Sequence, residues 1–231
     1  MSSLPAAAQD LLVAAASDLA RSTDQIVAAF QKATGSRAVF TLGSSGMLAR
    51  QIENGAPFDV FLSANVDFLN DLIAKGHIER DSMTVYASGL LGLWSRTGSV
   101  RTLDALKQNE IRYVAIANPV HAPYGLAARK ALESAGVWKP IEPKLVLAEN
   151  VRQALAYAET GSADVAITAW ALIHDRGGAA IPAHLYPPIV QAGGVVARTE
   201  RTQDARRFLA FLTGPEGRRI LVAGGFLPPP G

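Results

Sequence analysis

The chain has 231 residues and no cysteine, which excludes disulfide bonds, cysteine zinc sites, iron–sulfur clusters and thiol chemistry. Its four histidines lie far apart and form no H-E-x-x-H motif, so a histidine metal site is not predicted. The net charge is only +2, which argues against nucleic acid or an anionic membrane as the main partner. No apolar run approaches the roughly 20 residues of a membrane-spanning helix.

Three sequence motifs of common active sites are also missing. Neither a Walker loop, G-x-x-x-x-G-K-[ST], nor the spacing of a dinucleotide fingerprint occurs. The segment from Gly43 to Gly46 does not complete the nucleophile elbow G-x-S-x-G, because Met47 occupies the last position. Nucleotide chemistry and serine hydrolysis therefore have no motif to support them.

What the chain does contain is one pattern that recurs four times: an apolar strand, a turn of small residues and the start of a helix. The four copies span residues 11–30, 39–52, 113–132 and 145–159. Ligands of α/β sheets bind at the carboxyl ends of strands, where the next helix presents free N–H groups and its positive dipole end. With Ser17, Ser44 and Ser45 at the turns, the pattern predicts a receptor site for a small oxyanion.

Strand and helix patterns alternate along the chain, which predicts an α/β fold of two lobes, each a mostly parallel sheet flanked by helices. Two long β-like runs, 83–96 and 186–198, lack an adjacent compact helix, and we interpret them as crossovers between the lobes. This interpretation assigns residues 1–86 and 198–231 to lobe one and residues 87–197 to lobe two.

The serines at the turns have two interpretations. Serine is a preferred helix N-cap, so Ser17 alone favours an ordinary cap. Ser44 and Ser45 lie between two glycines, which allow close backbone approach and let N–H groups converge on an anion. Only their occurrence together at strand ends favours a binding site.

Longer segments carry a family resemblance. They are AAAS at 14–17, SSGMLARQIENGAPFDVFLSA at 44–64, ANPVHAPYG at 117–125, KLVLAENVRQAL at 144–155 and GPEGRRILVAGGF at 214–226. In these segments the chain resembles the periplasmic molybdate-binding proteins of ABC transporters, the ModA family, and the resemblance covers nearly the whole chain. It implies a type II periplasmic binding fold whose two lobes close on a tetrahedral oxyanion.

The resemblance also implies a ligand set. Two side-chain donors fall on Ser17 and Ser45, and two backbone N–H donors fall on Tyr124 and Val151. All four contact molybdenum only through the oxygens of molybdate. At Ala169 the chain departs from the family pattern, which has a tyrosine hydroxyl at this ligand position, and a methyl group cannot donate. We therefore predict that the Tyr124 hydroxyl, directly or through a water, replaces the donor missing at Ala169. The alternative is that Tyr124 supplies only its backbone N–H and that its ring points away.

The chemistry of such a site suits molybdate. Molybdate is a dianion without a proton near neutral pH, so it needs donors only, whereas monoprotonated phosphate would also need an acceptor. Leaving the phosphate proton unpaired would cost about 1–3 kcal/mol. Tungstate is nearly the same size as molybdate, and we expect it to bind comparably.

These observations predict a monomeric, periplasmic receptor without catalytic activity or cofactor, which binds molybdate or tungstate and delivers it to an ABC-transporter permease. The first ten residues are not an intact secretory signal.

Three alternatives to this function remain. One is a receptor for sulfate or thiosulfate. Another is the effector domain of a transcription regulator, although no DNA-binding segment precedes Leu11. The last is an α/β hydrolase using Ser17 or Ser45, for which no histidine base can be assigned.

Overall fold

The computed structural model describes residues 10–230, and these residues form two five-stranded sheets. The expectation about the N-terminal signal falls on residues 1–10, all but the last of which lie outside the described residues. In chain order the strands are β1 (Leu11–Ala16), β2 (Ala38–Gly43), β3 (Val60–Ser63), β4 (Thr84–Gly89), β5 (Leu91–Ser95), β6 (Val114–Ala117), β7 (Leu145–Ala148), β8 (Val165–Ala169), β9 (Ala179–Ala180) and β10 (Ile189–Val195).

Helices follow most of the strands and cover the sheets. The α-helices are α1 (Thr23–Thr34), α2 (Ser45–Glu53), α3 (Val66–Ala74), α4 (Pro123–Ser134), α5 (Trp138–Ile141), α6 (Val151–Thr160), α7 (Thr202–Thr213) and α8 (Pro215–Ala223). Short 3-10 helices lie at Ser17–Arg21, Arg80–Ser82, Asp104–Lys107, Glu142–Lys144, Trp170–Leu172 and Ala183–Leu185.

The first sheet has the order β2-β1-β3-β10-β4. Strand β1 pairs in parallel with β2 and β3, whereas β10 runs antiparallel to both β3 and β4. Strands β1 and β3 are almost continuously apolar because helices or neighbouring elements cover both of their faces. Buried side chains form one cluster on each face, around Phe30 and Phe208 on one side and around Phe61 and Leu69 on the other.

The second sheet repeats this plan in the order β7-β6-β8-β5-β9. Strand β6 pairs in parallel with β7 and β8, and β5 is antiparallel to β8 and β9. Its apolar residues form a separate cluster that includes Ile116, Leu132 and Ile167. The predicted class, a two-lobe α/β fold with parallel strands at the centre of each sheet, is confirmed.

The crossovers lie close to the predicted runs, but the strands beside both of them extend past the assigned limits. The chain passes from the first sheet to the second at Leu90, between β4 and β5. It returns before β10, whose residues 189–195 we had assigned to lobe two. Strand β10 belongs to the first sheet because it pairs with β3 from Val195 opposite Val60 to Ala192 opposite Ser63. By strand pairing, β4 to Gly89 and β10 from Ile189 belong to the first sheet, whereas our interpretation placed residues 87–89 and 189–195 in lobe two. Apolar patterning does not reveal which sheet a strand joins, and the limits of the lobes remain a proposal.

Candidate binding site

The carboxyl ends of β1, β2, β6 and β7 meet at a cleft between the two sheets. This cleft contains a small cavity, with about 10 Å³ of space for the centre of a water-sized sphere. Its lining residues come from both lobes: Ala16, Ser17, Asp18, Gly43, Ser44, Ser45, Ala64, Ala122, Pro123, Tyr124, Asn150 and Val151. The structure therefore brings together Ser17, Ser45, Tyr124 and Val151, the four predicted donors that the chain retains.

Ser17 lies directly at the end of β1 and is buried. It opens the 3-10 helix Ser17–Arg21, whose N-cap is Ala16 without a side-chain cap bond, and α1 begins only at Thr23. Ser17 is thus not the ordinary helix cap that it resembled in sequence, and its side chain lines the cavity wall.

Ser45 is the first residue of α2 and is fully buried. Its Oγ accepts a hydrogen bond from the backbone N–H of Ala64 at 3.0 Å. Because that bond uses a lone pair, the hydroxyl proton of Ser45 remains available for a ligand. Strand β3 thus orients the donor that α2 presents.

The donors of lobe two belong to the backbone at two helix starts. Tyr124 is the second residue of α4, after Pro123, so its N–H has no acceptor within the helix. Asn150 caps α6 through its side-chain oxygen, which accepts from the N–H groups of Arg152 and Gln153 at 3.1 Å each. That cap leaves the N–H of Val151, the first residue of α6, for the cavity.

A hydrogen bond from β8 also fixes the position of Val151. The hydroxyl of Thr168 donates to the carbonyl oxygen of Val151 at 2.9 Å, and both groups are buried. This contact ties the start of α6 to β8. The sequence contained a signal for the Asn150 cap, since asparagine is a preferred N-cap residue, but none for the role of Thr168.

The lobes touch across the cleft mouth at His121. Its backbone carbonyl accepts from the N–H of Gly46 at 2.9 Å, and its Nδ1 lies 2.9 Å from Ser44 Oγ. A Cβ at position 46 would lie 2.7 Å from the His121 carbonyl oxygen, so glycine allows this approach. Burial and the nearby Arg50 lower the pKa of His121. These contacts place the structure in a closed form.

Asp18 is a site residue that the sequence analysis missed. It is 1% exposed, and its Oδ2 accepts from the Tyr124 hydroxyl at 2.9 Å and from Gln191 Nε2 at 2.6 Å. Its Oδ1 has no hydrogen-bond partner among the described residues. Burial raises the pKa of this carboxyl to about 6, although the bonds from Tyr124 and Gln191 act in the opposite direction. The expected donor-only site therefore includes one carboxylate.

Two expectations about individual side chains meet a different arrangement in the structure. The Tyr124 hydroxyl, predicted to replace the missing ligand donor, donates to Asp18. Ala169 is fully buried in β8, where it pairs with Leu91, and it is not among the residues that line the cavity. A strand end that carries a family ligand elsewhere is here part of the core of lobe two.

Within residues 10–230 no three histidine, aspartate or glutamate side chains lie together as a possible metal site. Over the same residues, no helix has the length and apolar character needed to cross a membrane. An exposed cation, Arg152, lies beside Ser17 and Asn150 where the cleft widens toward solvent. Residues with hydroxyl and free N–H groups thus line the cavity, and a positive charge lies at its entrance.

Comparison with known proteins agrees with this chemistry. Residues 11–227 match the family described as bacterial extracellular solute-binding protein. The molybdate-binding protein ModA of Rhodobacter capsulatus is 35% identical over 228 residues, which cover 97% of this chain and 90% of that protein. ModA of Azotobacter vinelandii is 32% identical over 229 residues, covering 96% and 91%. This chain belongs to the ModA family of molybdate-binding proteins.

Solved structures support the ModA assignment and its fold. The Azotobacter vinelandii periplasmic molybdate-binding protein superposes with a TM-score of 0.90 at 32% identity, over 96% of this chain and 100% of that one. The sulfate-binding protein SubI of Mycobacterium tuberculosis reaches a TM-score of 0.78 at 16% identity, over 95% and 87%. At that identity the second likeness shows the shared type II binding fold alone.

Proposed function

We propose that this ModA-family protein binds molybdate, and tungstate comparably, in the closed cleft and delivers it to an ABC-transporter permease. The observation that carries the proposal is that Ser17, Ser45, Tyr124 and Val151 line one cavity. In the proposed site the two serines donate through their hydroxyls, and Tyr124 and Val151 donate through their backbone N–H groups. Ala169 is no longer part of the proposed ligand set.

The donors suit a buried dianion. Hydrogen bonds to a charged acceptor contribute about 1.5–3 kcal/mol each, and two helix starts add the favourable ends of their dipoles. Among residues 10–230 no lysine or arginine lines the cavity, so in this proposal neutral groups and helix ends recognise the anion. Arg152 at the entrance favours the approach of an anion.

We further propose a monomeric periplasmic receptor without catalysis and without a resident cofactor. The hydrolase alternative would need a nucleophile and a base, and the structure does bring Ser44 to His121. That pair joins opposite lobes, and no carboxylate among residues 10–230 is hydrogen-bonded to the other ring nitrogen of His121. Because the contact between Ser44 and His121 breaks when the cleft opens, it is better suited to stabilising the closed form than to hydrolysis.

The proposal is tested by thermal unfolding with molybdate, tungstate, sulfate and phosphate, followed by calorimetric titration. A ligand at about 100 times its dissociation constant adds about 2.7 kcal/mol to the free energy of unfolding. We expect molybdate and tungstate to raise the melting temperature at micromolar concentrations, and sulfate and phosphate to do much less.

Two outcomes would redirect the proposal. Equal or stronger stabilisation by sulfate would favour the sulfate or thiosulfate receptor. Strong binding of phosphate would mean that the free Oδ1 of Asp18 accepts the proton of hydrogen phosphate. Mass spectrometry of the native complex would identify the bound anion in either case.

A further inference from the structure

The hydrogen bonds of Asp18 join elements from both lobes. Tyr124, on α4 of lobe two, donates to Asp18 Oδ2, and Gln191, on β10 of the first sheet, donates to the same oxygen. Gln191 Oε1 in turn accepts from the Tyr86 hydroxyl of β4 at 3.0 Å. Of these partners, only Tyr124 belongs to the second lobe. Its hydroxyl therefore makes both bonds of this network that opening of the cleft must break, the one it donates to Asp18 and the one it accepts from Gln191 Nε2 at 3.2 Å.

The surroundings of Tyr124 are built for this bond. Asp18 and Tyr124 are 1% and 3% exposed, so water does not compete for the contact in the closed form. A Cβ at Gly89 would lie 2.0 Å from the Tyr124 hydroxyl oxygen, so the glycine at the end of β4 provides the space that this group occupies. By contrast, the ion pair of Arg21 with Asp175, also between the lobes, is 39% and 51% exposed, and surface pairs of this kind contribute little.

The hydrogen bond between Tyr124 and Asp18 also affects one of the proposed ligand donors. Tyr124 carries one of the proposed backbone donors, and its ring is anchored through its hydroxyl to the residue that follows Ser17. We propose that Asp18 is a positioning residue of the oxyanion site: it holds Tyr124 across the closed cleft and so keeps the Tyr124 N–H directed at the bound anion. This inference rests on the proposed function, since it assumes that the anion occupies this cavity.

The test compares two tyrosine-to-phenylalanine changes in the same network. Tyr124→Phe removes the hydroxyl that crosses the cleft but keeps the ring and the backbone N–H. Tyr86→Phe is the matched control, because it removes a hydroxyl bound to Gln191 without touching lobe two. Stopped-flow measurement of molybdate binding should show about tenfold faster dissociation for Tyr124→Phe, with the association rate changed less than threefold, and near-parent rates for Tyr86→Phe.

Coupling to Asp18 is measured with double variants. In an Asp18→Ala background the Tyr124 hydroxyl keeps only its contact with Gln191 Nε2 at 3.2 Å, so Tyr124→Phe should have a much smaller effect on dissociation than in the parent. In an Asp18→Asn background an amide oxygen can still accept, so the effect of Tyr124→Phe should persist. The second background also keeps the test valid if Asp18→Ala does not fold.

Closure itself can be followed without a ligand. Because the chain has no cysteine, Gln31→Cys and Lys139→Cys introduce unique labelling sites at exposed positions of different lobes. Energy transfer between dyes at these sites should report a more open ligand-free protein for Tyr124→Phe than for the parent or Tyr86→Phe. This measurement does not depend on molybdate binding.

Three results would overturn the inference. They are parent-like dissociation of molybdate from Tyr124→Phe, an equal rise in the dissociation rate for Tyr124→Phe and Tyr86→Phe, or additive effects of Tyr124→Phe and Asp18→Ala on that rate. An equal rise in both variants would mean that the network only stabilises the fold. Additivity would mean that Tyr124 acts on the anion without Asp18. If the parent fails to bind molybdate, the proposed function fails, while the label distances in the free protein still decide whether Tyr124 holds the lobes together.

Discussion

The two walls of the cleft present the same kind of group by different chemical means. In the proposed site the wall of lobe one offers side-chain hydroxyls, from Ser17 and Ser45, and the wall of lobe two offers backbone N–H groups, from Tyr124 and Val151, all residues that line the cavity. Both walls are built from strand ends followed by helical turns, and the two sheets have equivalent strand orders. The difference therefore lies in the residues at the turns and not in the architecture.

This difference determines which changes each wall tolerates. A hydroxyl donor is lost whenever its residue type changes, so lobe one depends on serine at two positions. A backbone donor is present in every residue except proline, so lobe two depends on where a helix begins and on the cap that leaves one N–H free. Asn150 and Pro123, which set those helix starts, therefore matter as much as the donors themselves.

The largest effect is expected where a backbone donor is removed. Val151→Pro deletes the N–H at the first position of α6, where proline is well tolerated, and Asn150 before it is already extended at φ −154° and ψ 173°. We expect calorimetry to show a loss of roughly 100-fold in molybdate affinity, about 3 kcal/mol, with the protein still folded. Val151→Ala keeps the N–H and should cost less than about threefold. Equal losses in both variants would mean that the Val151 side chain, not its N–H, matters.

A smaller loss is expected for the hydroxyls of lobe one. Ser17→Ala and Ser45→Ala should each weaken molybdate binding by roughly 1.5–3 kcal/mol in calorimetric titration. Ser45→Ala should also lower the melting temperature, because the buried Ala64 N–H loses its acceptor. Ser134→Ala, at the exposed end of α4, is the control. If Ser17→Ala lowers stability but leaves affinity unchanged, Ser17 is not a ligand.

The smallest effect concerns pH and the one carboxylate of the site. Burial raises the pKa of Asp18 from 3.8 to about 6, so the folded protein keeps a proton that the unfolded chain releases between pH 4 and 6. The free energy of unfolding therefore falls as the pH rises through this window, by about 1 kcal/mol between pH 5 and 6. Urea titrations of the parent and of Asp18→Asn, which cannot titrate, isolate this contribution. A parent-minus-variant difference that stays constant or grows with pH would contradict it.

Local patterns predicted the elements of the fold closely. Gly35, Gly55 and Gly76 follow α1, α2 and α3 and all have positive φ, the conformation in which glycine commonly ends a helix. The helical parts of the four repeated patterns appear as α1, α2, α4 and α6. Hydrophobic periodicity and cap residues act over a few positions, so they can be recognised in the sequence. The sheet to which β10 belongs could not be recognised in this way, because an antiparallel strand carries the same apolar pattern whichever partner it joins.

The sequence by itself determined the alternation of strands and helices, the hydroxyls at the strand ends and the absence of a metal-binding cysteine or histidine motif, since these follow from residue type and short spacing. Only the tertiary structure decided that Asp18 meets Tyr124, 106 positions away, and that Ala169 lies in the core. The physical reason is that a hydrogen bond across the cleft depends on how the chain crosses twice between two sheets. No local preference records that geometry, so the carboxylate beside the donors became visible only when the lobes were assembled.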